Sequence, residues 1–153
     1  MAEFGGGGIR PDLFVAADTL SSSERAFVKV LGAKITVYRD VISTYALELK
    51  GGGRLKDPSF VVSDDMVSEV VKRLRARGVD LPDSAAAGAR SLIAQELGYE
   101  ATQYAFGRPA EFRRRMADDR QVQEALALAR KAKSPQDLLA LASPPAPPAH
   151  RNQ

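Results

Sequence analysis

Apolar residues recur at spacings of three and four along most of this chain, and that spacing predicts helices. The longest stripe runs from Phe27 through Val30, Leu31, Ile35, Tyr38, Val41, Ile42, Tyr45 and Leu49. One face of a helix of about seven turns carries such a stripe. Ser21 stands three residues ahead of Glu24, the arrangement of a capping box, so the helix is expected over 24–50. Gly51, Gly52 and Gly53 supply its stop.

The next stretch begins with a short apolar run, Phe60, Val61 and Val62. Ser63 then reads as an N-cap, with Asp64 and Asp65 in the first turn, where carboxylates meet the positive end of the helix dipole. Val62 and Val67 are spaced as a hydrophobic staple across that cap. Met66, Val67, Val70, Val71 and Leu74 form the expected buried face, and Gly78 closes the helix. Asp83 or Ser84 opens a long alanine-rich helix through Leu92, Ile93, Leu97, Ala101, Tyr104 and Ala105, ending near Gly107. Gly98 in its middle costs about 1 kcal/mol relative to alanine and predicts a kink. Pro109 suits the first turn of a helix holding Phe112 and Met116, and Asp118 or Asp119 caps a segment with Val122, Leu126 and Ala129. Ser134 and Asp137 make a last capping box around Pro135, leading into Leu138, Leu139 and Leu141.

The two ends break this pattern. Residues 9–17 read IRPDLFVAA, apolar without helical period and with a proline near the start, which fits an edge strand or extended lead-in. After Ala142 comes SPPAPPAHRNQ, whose prolines predict an extended, disordered tail. The expected architecture is therefore mainly α: five or six helices preceded by a short N-terminal extended or β segment. Its organisation is a glycine-rich lead-in and strand over 1–17, a helical domain over 18–142 and a tail over 143–153. No internal repeat is visible.

Composition narrows the chemistry. The 153 residues are 44% apolar and 27% charged, the balance of a globular domain. Lys and Arg exceed Asp and Glu by 22 to 19. The basic residues gather at Lys72, Arg73, Arg75 and Arg77 and at Arg113, Arg114 and Arg115. The first group lies at a helix C-terminus, where cations are favoured anyway, and the second has Glu111, Asp118 and Asp119 around it. A phosphate-binding face needs cations with few acids interleaved. Both groups therefore read as solvated helix faces, and nucleic acid is disfavoured as a partner.

There is no cysteine, and the one histidine, His150, sits in the tail. Disulfides, thiolate metal sites, a Ser-His-Asp triad and a multi-histidine metal site in the folded body are all excluded. No serine stands in Gly-x-Ser-x-Gly or Ser-x-x-Lys, and the glycines at 5–8 lead into no phosphate-cradling loop. The acid pairs Asp64-Asp65 and Asp118-Asp119 fall at helix starts, where capping accounts for them. Neither cofactor nor metal is expected. No apolar stretch approaches the roughly 20 residues that span a bilayer, so no transmembrane segment is expected. The N-terminus also lacks the basic and apolar regions of an export signal.

The run GGGGIRPDLFVAADT remains. Glycine loses the most backbone freedom on folding, so four in succession suit a close backbone approach better than the start of an isolated helical domain. Together with YALELK, FVVSDDMVSEVVKRLRARGV, SLIAQELGYEATQYAFG and DDRQVQEALALAR, this run resembles the C-terminal portion of carboxyl-terminal processing proteases, the tail-specific serine peptidases of bacteria. The likeness spans about residues 5–130 and is most specific in the glycine, Ile, Pro-Asp segment. It implies that the segment closes the sheet of a protease core, with Gly7, Gly8, Ile9, Pro11, Asp12, Leu13 and Val15 as a docking strand. The helices after it imply a non-catalytic region for packing, oligomerisation or substrate access, with the helix over 24–50 as its packing face. The expected partners are the parent's protease core, a homo-oligomer partner and, in the parent enzyme, protein substrates. The resemblance also implies a periplasmic or cell-envelope parent. The family's serine nucleophile and lysine base lie upstream of the glycine segment, so no catalytic residue is carried over and the chain alone is expected to be inactive. The alternative of another class is a free-standing helical module for protein-protein interaction.

Overall fold

The chain is mainly α, and the computed structural model describes residues 13–142. Helix α1 spans Ser22–Leu31, followed by a 3-10 turn at Gly32–Lys34 and by α2 at Ile35–Gly51. Helices α3 (Asp64–Ala76), α4 (Asp83–Gly88), α5 (Arg90–Phe106) and α6 (Arg108–Asp118) follow. Helices α7 (Arg120–Lys131) and α8 (Pro135–Ala142) complete the described residues. Contacts divide the chain into two units, Thr19–Asp118 and a second made of Met1–Asp18 with Asp119–Gln153.

Local chemistry places most of the helix ends where the pattern puts them. The Ser21 hydroxyl accepts from the Glu24 amide at 3.2 Å, while Glu24 accepts from the Ser21 amide at 2.7 Å, completing the capping box. These bonds hold the Glu24 carboxyl below its ordinary range, the amide contributing most. Ser63 caps α3 through the Met66 amide, and Asp119 caps α7 through the Val122 amide at 3.0 Å. Gly78 sits at φ +76 with its amide on the Arg75 carbonyl, and the Val79 amide reaches back to Leu74. That pairing is the αL stop expected at the end of α3.

Two long helices are shorter than their stripes predict. The helix expected over 24–50 is interrupted at Gly32, whose φ of +45 no L side chain adopts cheaply. Its Phe27, Leu31, Tyr38, Val41 and Leu49 are nevertheless all buried, because α1 and α2 meet the same core from different directions. The alanine-rich stretch likewise divides at Ala89 into α4 and α5. By contrast α5 runs without interruption through Gly98, where the sequence predicts a kink.

Within Thr19–Asp118, α2 packs on α5, with α3 against both; α6 lies along α5 and α1 on α4. Phe27, Leu49, Leu74, Ile93 and Leu97 are fully enclosed there. Each contributes on the order of 2 kcal/mol by leaving water. The Phe27 and Tyr38 rings meet edge to face, centroids 5.6 Å apart. The Tyr38 hydroxyl, buried beside them, has no hydrogen-bond partner among the described residues. Burial, and secondarily the nearby Glu96 charge, pushes its ionisation well above that of an ordinary tyrosine.

In the other unit, α7 packs against α8. The Ser134 hydroxyl accepts from the Asp137 amide at 3.1 Å, as the predicted box requires. Asp137 returns the contact to the Lys133 amide, one residue ahead of the cap. Neither helix buries a residue fully. No described helix is long and apolar enough to cross a membrane.

Candidate functional site

Of the residues expected to form the docking strand, Gly7, Gly8, Ile9, Pro11 and Asp12 lie outside the described residues, as does the tail over 143–153. Leu13 and Val15 are described. Residues 14–21 form no regular element, and no strand occurs among the described residues. The Val15 carbonyl, which a ladder would need, instead accepts from Gln121 Nε2 of α7 at 2.7 Å. Leu13 is exposed, and Phe14 is 81% exposed. A large ring left in water beside other apolar side chains is the kind of surface that a second polypeptide covers.

Lys72, Arg75, Arg77, Arg113 and Arg115 are exposed, as solvated faces require, yet most of the basic side chains also hold a partner. Arg73 of α3 grips Glu48 of α2 through two nitrogens, at 2.9 and 2.7 Å, and Glu69 through Nε at 2.8 Å. Its guanidinium also lies 4.4 Å from the centre of the Tyr45 ring. The bond from Arg73 holds the Glu48 carboxyl below its ordinary range. Arg75 donates twice to the Leu81 carbonyl and pairs with Asp83, and Arg77 pairs with Asp40. Asp64, expected only as a first-turn acid, also pairs with Arg90 of α5. These bonds join separate helices because a planar guanidinium can serve several acceptors at once.

The second group shows the same division of labour. Arg115 pairs with Glu111 and stacks 4.1 Å from the Tyr99 ring centre. Tyr99 is pushed up to about 12, by burial first and by the nearby Asp118 carboxylate second. Arg114 crosses Gly98 to reach the Pro58 and Phe60 carbonyls, at 3.3 and 3.0 Å, and stacks 4.8 Å from the Phe60 ring centre. A Cβ on Gly98 would stand 2.8 to 3.0 Å from that guanidinium. The glycine therefore answers to a close approach by another helix, within a helix that runs on without a break. Among the described residues Arg113 holds no ion pair.

Arg113 borders a cleft of about 380 Å³ between α6 and the loop before α3, with Phe60, Val61, Ala110 and Ala117 among its walls. Asp57, Pro58 and Ser59 shape that loop. Asp57 accepts from the Ser59 amide at 2.8 Å and from its hydroxyl, an Asx turn that also lowers the Asp57 carboxyl. On α6, Ala110 and Ala117 are seven residues apart and so share a face, leaving a shallow floor two turns long. The sequence marks Phe60, Val61 and Val62 as an apolar run and Arg113 as one cation among three. What it leaves unjoined is the loop and the helix face, 50 residues apart, whose one local sign is the small-residue spacing on α6.

Ser43 Oγ and the Tyr104 hydroxyl both donate to Glu100 Oε1, at 2.6 and 2.7 Å, which joins α2 to α5. Among the described residues no cluster of three or more His, Cys, Asp or Glu side chains could hold a metal ion. No family model matches the chain, and no curated protein or solved structure matches it either.

Proposed function

We propose that this chain is the non-catalytic helical C-terminal region of a tail-specific serine peptidase, packing on the parent's protease core. The reading is supported by the likeness of GGGGIRPDLFVAADT to the segment that closes such a core. The observation that carries it furthest is the apolar, irregular stretch at Leu13 and Phe14, with Phe14 81% exposed. An aromatic ring so placed gains stability when another surface covers it. The helices after it supply a rigid body for oligomerisation or for shaping access to the parent's active site.

The test is to tag the C-terminus of the chain at its native locus. A tagged polypeptide longer than 153 residues that degrades an unfolded protein substrate is the expected result. A tagged product of 153 residues, with no peptidase activity co-purifying, overturns the reading.

A free-standing interaction module is the second reading, favoured by the separate core of Thr19–Asp118. Light scattering on the chain with and without residues 1–17 separates the two. An unchanged, soluble monomer favours the module, whereas a change in association or solubility favours the docking segment.

A further inference from the structure

The loop wall of the cleft is a stretch of extended backbone with an unused edge. Exposure alternates along it: Phe60 and Val62 are half-buried against the core, while Val61 and Ser63 face outward. Such alternation marks an extended chain, and Ser63 has φ −78 and ψ 162. The Phe60 carbonyl is taken by Arg114 at 3.0 Å. Val61 differs: it is 83% exposed, and among the described residues nothing bonds its amide or its carbonyl. An extended residue with both groups free is a template for main-chain pairing by another strand.

The opposite wall supplies the rest of a peptide site. Ala110 and Ala117 leave room for one side chain against Phe60, and Arg113 stands between them on the same helix. Asp118 is the one acid at this rim. Arg113 and Arg114, neither in an ion pair among the described residues, outweigh that one acid, so the cleft is net positive and a carboxylate complements it at Arg113. We propose that this cleft binds an extended, acidic polypeptide segment of a partner protein. The segment pairs its main chain with Val61, lays an apolar side chain on Ala110 and Ala117, and sets a carboxylate against Arg113. The proposal stands on the cleft alone and holds whether or not the chain belongs to a peptidase.

Fluorescence anisotropy with the full chain tests it, using a labelled hexapeptide Glu-Val-Thr-Val-Glu-Val. A contact of this size predicts a weak complex, Kd roughly 10 to 100 μM. Three changes should each weaken binding: lysine for glutamate in the peptide, proline for threonine in the peptide, and Val61→Pro in the protein. Val61→Pro removes only a free amide on an exposed, extended residue, so circular dichroism should be unchanged while affinity drops roughly tenfold. Arg113→Glu should weaken the acidic peptide and strengthen the lysine peptide, a reversal that general damage to the fold does not produce. The proposal is overturned by absence of binding at 1 mM peptide. It is equally overturned by affinity indifferent to Val61→Pro, or by a concentration-dependent dimer that excludes the peptide, which would make a second copy the occupant.

Discussion

The two units use similar apolar stripes to opposite ends. In Thr19–Asp118 the stripes of α1, α2, α3 and α5 converge, and Phe27, Leu49, Leu74, Ile93 and Leu97 leave water entirely. In α7 and α8 the spacing is just as regular, yet Leu126, Leu138 and Leu141 stay between 38% and 45% exposed. Periodicity sets the face of a helix on which apolar residues fall, whereas burial needs enough other elements to enclose that face. The arginines sharpen the contrast. Arg73, Arg75, Arg77 and Arg114 each reach from one element of Thr19–Asp118 to another, so packing and polar ties act on the same helices.

The largest test of this contrast is truncation in the core. Phe27→Ala removes a fully buried ring and its edge contact with Tyr38, and should cost about 3 to 5 kcal/mol in urea denaturation. A loss below about 1 kcal/mol would mean that Thr19–Asp118 is not organised around that core.

Gly98 probes the polar ties. Gly98→Ala improves helix propensity by about 1 kcal/mol but drives a Cβ into the Arg114 guanidinium. It should therefore destabilise the protein, by about 1 kcal/mol net as the bonds to the Pro58 and Phe60 carbonyls are lost. In an Arg114→Ala background the same substitution should stabilise. A double-mutant cycle without that change of sign removes the close-approach account of Gly98.

The buried Tyr38 hydroxyl makes a prediction in pH. Its ionisation is raised in the folded state, so folding favours the neutral form. That contribution is present in full below the ordinary tyrosine value of 10.0 and is lost as pH rises beyond it. Tyr38→Phe should raise stability by about 1 kcal/mol at pH 7, by deleting an unpaired buried hydroxyl. It should also soften the alkaline loss relative to the unsubstituted protein. Denaturation curves from pH 8 to 11.5 compare the two, and parallel pH profiles would sink the assignment.

The smallest effect belongs to the other unit. Leu141→Ala should change stability by less than about 0.5 kcal/mol, since the side chain is already 45% exposed. A loss of 2 kcal/mol or more would show that this helix is buried in solution and would abolish the contrast.

Much of the architecture is legible locally. Ser21, Ser63, Asp119 and Ser134 announce helix starts because a cap is made within three residues of chain. Gly52 and Gly78 announce stops for the same reason. The break at Gly32 is less legible, because one glycine within an unbroken apolar stripe reads as tolerated until a neighbouring element requires the turn. The candidate cleft was half legible. The run at Phe60 and the cations on α6 stand out singly, but Arg113 and Arg114 are adjacent in sequence and differ in role only by which way α6 faces the loop.

By itself the sequence determined the helical class, the capped helix boundaries, the buried stripes and the exclusion of histidine and cysteine chemistry, since each depends on residues a few positions apart or on their absence. Tertiary structure alone decided that Gly98 makes room for a guanidinium, that the basic groups join helices, and that Val61 keeps a free edge beside Arg113. Most of those outcomes depend on distances between residues 16 to 56 positions apart, which packing sets and local spacing does not encode.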